Sequence, residues 1–282
     1  MLRPAAAARP PGRPSVRGPC GDTDAVIDRG PFSRIRAWPW LVELGIVLWV
    51  SLGASAVRAL LNLLNRLTVG VSLSDQTASI VVSQAPDRPW LDLAYQVSGI
   101  VIALGPVALV WYLLRRSGTG FGAIGLDTRE PGRDLRRGLV LGALVGTVGL
   151  GLYLAAYHLG LSVQISAVTA AAFWWTTPVL LLAAAQNALL EEVVILGYFL
   201  HRTRQAGVAV PLAIAASALV RGTYHLYQGF GGFIGNLAMG LLFGWLFTRW
   251  RRTGPFVIAH FAIDAAAFIG YFALRGSVTW LP

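Results

Sequence analysis

The chain has 282 residues, of which 55% are hydrophobic and 13% charged, with a formal net charge of +10. Soluble domains carry about 25% charged residues, so lipid is the solvent for most of this chain. The positive charge is no nucleic-acid footprint, because the arginines flank apolar segments. A single cysteine, Cys20, excludes an internal disulfide framework and any multi-thiolate metal centre. All 23 basic residues are arginine, which suits a high-GC bacterial genome.

Residues 1–38 are rich in Pro, Gly, Ala and Arg and lack the apolar periodicity of a core. They predict a disordered cytoplasmic tail, with no continuous apolar run of the kind a signal sequence needs. Residues 39–282 predict an all-α membrane protein, a polytopic helical bundle of about seven transmembrane helices. The candidate spans are Trp40–Leu64, Leu91–Leu114, Gly138–His158, Thr177–Leu200, Val208–Tyr224, Phe233–Trp250 and Phe256–Leu274. The fifth is short. Arginines recur at alternate connections: Arg34 and Arg36, then Arg115 to Arg137, then Arg202 and Arg204, then Arg249 to Arg252. By the positive-inside rule the N-terminus is cytoplasmic and the C-terminus external, in a multi-pass protein of the bacterial plasma membrane. Seven tryptophans, among them Trp38, Trp90, Trp174 and Trp280, fall near predicted helix ends, as an aromatic belt would. The stretch 117–137 predicts a connector lying on the membrane surface.

Four glutamates exist in the chain, and two of them, Glu191 and Glu192, sit inside the fourth span. A charge at the bilayer centre costs roughly 2.5–3.5 kcal/mol or more, so intramembrane ionisable residues point to function. Asn187 and Glu191 share a helix face, and Glu192 points about 100° away. One glutamate is expected to face a site while the other supports it. His225 ends the fifth span, and His260 and Asp264 share a face of the seventh. Taken singly, Glu192 also reads as a structural polar contact and His225 as a packing residue. Gly231, Gly235, Gly240 and Gly244 read as helix-packing positions. His158 and His201 read as surface residues. The conjunction points to water activation, directly or through a metal, because a carboxylate and two imidazoles fall on three different spans.

The last 110 residues resemble the CPBP intramembrane protease family, which includes CAAX prenyl proteases and bacteriocin-immunity-type membrane proteins. The family's E-E-x-x-x-R stands here as Glu191-Glu192-Val-Val-Ile-Leu196, its F-x-x-x-H as Arg221-Gly-Thr-Tyr-His225, and its H-x-x-x-N/D as His260-Phe-Ala-Ile-Asp264. Leu196 thus replaces an arginine and Arg221 a phenylalanine. The resembling, catalytic part spans about 174–274. The resemblance implies an endopeptidase that hydrolyses peptide bonds in or near the membrane. Its catalytic residues are Glu191, Glu192, His225, His260 and Asp264, with Arg221 and Asn187 supporting. Two chemistries remain open. In one, Glu191 is general base, His225 assists, and His260 and Asp264 stabilise the oxyanion. In the other, Glu192, His225 and His260 hold Zn2+ and its water is the nucleophile. Partners are the lipid bilayer and a peptide or protein substrate, with no nucleic acid. His-Glu-x-x-His, Gly-x-Ser-Gly and Gly-x-Gly-Asp patterns are absent. The alternative is a non-catalytic scaffold, immunity factor or transporter-like protein that keeps the polar cluster for binding; no internal repeat supports a transporter.

Straight ideal helices would set Glu191, His225 and His260 at different depths. Convergence is expected only through broken or tilted helices or a re-entrant fifth segment, around a polar cavity open to the cytoplasm.

Overall fold

A computed structural model describes residues 31–168 and 173–281. Most of the expected tail lies outside the described residues. Helical backbone already begins at Pro31, inside the stretch assigned to that tail. Seven long helices follow among the described residues: α1 (Trp38–Thr68), α2 (Pro89–Arg116), α3 (Pro131–His158), α4 (Thr176–Gln205), α5 (Val210–Tyr224), α6 (Phe230–Trp250) and α7 (Gly254–Leu274). Six are long and apolar enough to cross a membrane. The exception is α5, with 15 residues against the roughly 20 a span needs. Proline stands in the first turn of α2, α3, α5 and α7, where its missing N–H costs nothing.

The central helix is α4. Every residue from Ala188 to Leu200 except Leu189 is buried. From Glu192 to Tyr198 it winds as a π-helix, a rare form that occurs most often at functional sites. Within this turn, Ser217 of α5 donates its hydroxyl to the Ile195 carbonyl at 2.5 Å.

Two connections are built rather than loose. A parallel pair, β1 (Thr77–Val81) and β2 (Gln164–Val168), joins the α1–α2 link to the α3–α4 link, with Ala78 opposite Ile165. The pair is tied to the turn after α5: Val163 N–H donates to the Gln228 carbonyl at 3.2 Å, and Ser162 bridges Gly229. Gly229 has φ 91°, a left-handed conformation that only glycine adopts without strain.

On the opposite side, the α2–α3 connector does not simply lie on a surface. Its 3₁₀ turn Phe121–Ile124 buries Ile124, whose carbonyl accepts from Thr253 N–H (3.1 Å) and Thr253 Oγ1–H (2.6 Å). Arg252 forks onto Asp134 at 2.7 and 2.6 Å and reaches Asp127 at 3.0 Å. The α6–α7 turn is therefore clamped to the connector.

The glycines of α6 pack as expected. A Cβ on Gly240 would stand 2.8 Å from Ala218 Cα, and one on Gly244 would stand 2.7 Å from Ile214 Cγ2, so α6 lies directly against α5. Arg202, read from sequence as a loop arginine, is fully buried within α4. Its Nε pairs with Glu43 of α1 at 2.8 Å, and its guanidinium lies 4.6 Å from the Trp40 ring centre. Tyr198 also donates its hydroxyl to Glu43. His201, read as a surface residue, has a buried Nε2.

Candidate active site

Depth is solved by helix length rather than by re-entry. Because α4 runs on through Arg202, Glu191 stands roughly 21 Å of helix rise from Gln205, while His225 stands roughly 22 Å from Val210. The short helix α5 therefore ends level with the glutamates. His260 lies only about 9 Å along α7, but α7 begins deep in the bundle. A Cβ on Gly197 would meet Thr253 Oγ1 at 2.7 Å, so the start of α7 is level with Gly197, itself about 9 Å along α4 from Glu191. Glycine at 197 permits that approach.

At this level the predicted residues converge. Glu192 Oε1 accepts from His260 Nδ1 at 2.8 Å and also from the Arg221 guanidinium. Arg221 Nη1 lies 3.8 Å from Glu191 Oε2. Tyr224 donates its hydroxyl to the same Glu191 oxygen at 2.7 Å. His225 Nδ1 meets the Arg221 carbonyl at 2.9 Å. That carbonyl can only accept, so the proton is on Nδ1 and the lone pair is on Nε2. Asn187 Nδ2 donates to Asp264 Oδ2 at 3.3 Å. Asp264 Oδ2 is 3.6 Å from His260 Nε2, beyond a hydrogen bond.

The two glutamates divide as the sequence suggests. Glu191, with His225, His260, Asp264 and Asn187, lines a cavity of about 1630 Å³; Glu192 and Arg221 stand behind that wall. Both carboxylates are nevertheless close. Glu191, Glu192 and His260 offer ligand atoms within 4.8 Å of one another. That set differs from the expected Glu192, His225 and His260: His225 is not part of it.

The cavity lies at one identifiable end of the bundle. Its wall includes Ile80 and Gln84 near β1, Ile165 of β2, Tyr95 of α2 and Trp280 near the C-terminus, and no residue of the arginine-rich connections at 115–137, 201–209 and 249–254. The cavity and the arginine-rich loops thus occupy opposite ends of the bundle. A cytoplasmic opening and a cytoplasmic N-terminus are not compatible.

Tyr224 escaped the sequence reading, since its only mark is its place beside His225. The Glu43–Arg202 pair escaped for a different reason: its members are far apart in the chain and Arg202 resembles a loop residue.

No curated protein and no solved structure matches the chain. A family model does, over residues 173–266, a stretch that contains Asn187, both glutamates, Arg221, Tyr224, both site histidines and Asp264. Over that stretch the chain is similar to the family described as type II CAAX prenyl endopeptidase Rce1-like.

Proposed function

We propose that the protein is an intramembrane endopeptidase whose water is activated by Glu191. The observation that carries this reading is the unequal use of the glutamates. Glu192 is held by Arg221 and His260, whereas Glu191 faces the cavity with only Oε2 engaged. Glu191 Oε1 takes the proton as the water attacks the scissile carbonyl. His225 Nε2 accepts a hydrogen bond from the water's other hydrogen and orients it, and Glu191 returns its proton to the leaving amine as the C–N bond breaks. His260, held at Nδ1 by Glu192, offers Nε2–H in its doubly protonated form to the oxyanion. An ionised Asp264 has no proton to donate, so its part is positional: it holds Asn187, whose second amide N–H is the other oxyanion donor.

The residues fit a divalent metal poorly. The Arg221 guanidinium occupies the same Glu192 oxygen that His260 uses and lies 3.8 Å from Glu191. A fixed cation inside the ligand set opposes a dication. The compact Glu191, Glu192 and His260 group is the one feature that favours a metal. Purified protein and a quenched peptide library decide. Glu191→Gln is expected to abolish cleavage while the protein stays folded, and chelator is expected to leave the wild type active. Cleavage by Glu191→Gln sinks the general-base role; loss in chelator with recovery in zinc supports the metal. If the wild type cleaves nothing and Glu191→Gln behaves like it, the non-catalytic binding reading stands.

The orientation that accompanies this reading has the arginine-rich connections cytoplasmic and the cavity in the outer half of a bacterial plasma membrane.

A further inference from the structure

Among the described residues, Arg58 on α1 is the only arginine on the wall of the cavity. It belongs to a polar stripe, Ser51, Ser55, Arg58 and Asn62, whose spacings of three and four put them on one helix face, and all four line the cavity. Its depth is fixed by its neighbour. Ala59 and Leu63 pack against Leu226, the residue that follows His225. Arg58 therefore stands on the cavity wall near the level of the site.

It has no ion-pair partner among the described residues. The two acids on the same wall are engaged elsewhere: Glu191 with Tyr224 and Arg221, Asp264 with Asn187 and His260. The buried arginines Arg202 and Arg221 each hold a carboxylate, whereas Arg58 is exposed and faces the cavity. An arginine within the apolar layer is stabilised by an anion; guanidinium fits carboxylate and phosphate alike, and of the two a peptide substrate carries carboxylate.

We propose that Arg58 is a specificity-determining residue that receives a carboxylate of the peptide substrate, so that carboxylate and scissile bond are held at one depth. The carboxylate comes from a chain terminus or from an Asp or Glu side chain. This rests on the protease reading above.

The test uses wild-type, Arg58→Gln and Arg58→Lys protein in phosphatidylcholine nanodiscs. The peptides come in pairs, a free C-terminal acid against its amide and Asp against Asn at each position. In Arg58→Gln, KM for the carboxylate member is expected to rise about 10- to 100-fold with kcat little changed. Its neutral partner should be unaffected, and Arg58→Lys should recover part of the loss. The pair that discriminates names the source of the carboxylate, and either supports the proposal. Equal effects on both members of every pair, or none on any, overturn it. So does an effect that instead follows exchange of phosphatidylcholine for phosphatidylglycerol alike for all peptides, since Arg58 then serves lipid phosphate. Peptide binding by fluorescence anisotropy on a Glu191→Gln background repeats the comparison without turnover. If the wild type cleaves nothing, the protease reading fails, and binding alone decides Arg58 by the same acid-against-neutral criterion.

Discussion

Arg221 hydrogen-bonds Glu192 and lies 3.8 Å from Glu191, so one buried guanidinium serves two adjacent carboxylates. The resemblance read from the sequence places an arginine one turn after the glutamates, where this chain has Leu196, and a phenylalanine where it has Arg221. Arg221, on the helix facing α4, stands where it can supply that charge. Arg221 is 1% exposed, which excludes snorkelling to an interface.

Removing one member of a buried pair costs about 3–5 kcal/mol, because the other charge is left without its partner. Arg221→Phe is therefore expected to lower the melting temperature in detergent markedly and to abolish turnover. Adding Leu196→Arg should restore at least part of both. Thermal unfolding of the single and double variants decides, and a double variant no better than the single sinks the exchange.

Tyr224 gives Glu191 its one hydrogen bond from a neutral side chain, at 2.7 Å. Tyr224→Phe keeps the ring and its packing beside His225, at 4.7 Å between centroids. It removes only the donor that orients the base. The expected result is a fall in kcat of about 10-fold with KM unchanged. Unaltered kcat in steady-state kinetics would separate Tyr224 from the chemistry.

Gly240 sets how closely α6 approaches the helix that carries Arg221. A Cβ there would stand 2.8 Å from Ala218 Cα, which is backbone and cannot yield, and 3.4 Å from Arg221 Cδ. Gly240→Leu is expected to separate α5 from α6 and give little folded protein. Gly235→Ala meets only Leu152 Cδ2, at 3.4 Å, and should be tolerated. Size-exclusion profiles after detergent extraction compare the two; a monodisperse Gly240→Leu protein would show that this contact is not limiting.

The spans and the acid–imidazole set were legible because their signals are local. Hydropathy marks apolar runs, and a glutamate pair inside one stands out against its cost. The level of the site was not legible, for three physical reasons. Arg202 reads as a loop residue until Glu43, from the first helix, is seen to neutralise it. The π-helical turn of α4 depends on packing from α5, including the Ser217 hydroxyl, and has no composition of its own. The deep start of α7 depends on Gly197 accepting Thr253, a contact between two small residues that no periodicity announces. The end of the bundle at which the cavity lies is marked by the β1–β2 pair, whose strands are too short and too far apart in sequence to pair by pattern.

The arginine asymmetry predicts that the connector residue Arg133, whose side chain is half exposed, is cytoplasmic and Trp280 external. On a Cys20→Ser background, a cysteine at 133 should resist an impermeant thiol reagent in intact cells, and one at 280 should react. Arg202 is no use as a marker, since it is buried. External labelling at 133 overturns the orientation and moves the cavity to the cytoplasmic side.

The clamp between the connector and the α6–α7 turn has a defined acid limit. Asp127 takes Arg129 at 2.8 and 2.5 Å on Oδ2 and Arg252 at 3.0 Å on Oδ1. The Arg129 side chain above all, with the Arg129 backbone N–H and Arg252, holds its carboxyl well below the ordinary carboxylate range, against the opposing effect of burial. Arg252, forked onto Asp134, stays charged throughout. A carboxyl lowered in the folded state stabilises the fold fully at pH above its unfolded value, near 3.9. That contribution is lost as pH falls towards the folded value. The melting-temperature gap between wild type and Asp127→Asn is therefore expected to be flat from about pH 7 to 5 and to narrow below about pH 4. Since Arg252 adjoins Thr253, which sets the depth of His260, loosening the clamp should also lower turnover. A gap that widens on acidification, or that closes already at pH 6, overturns the assignment of this clamp to an ionised Asp127.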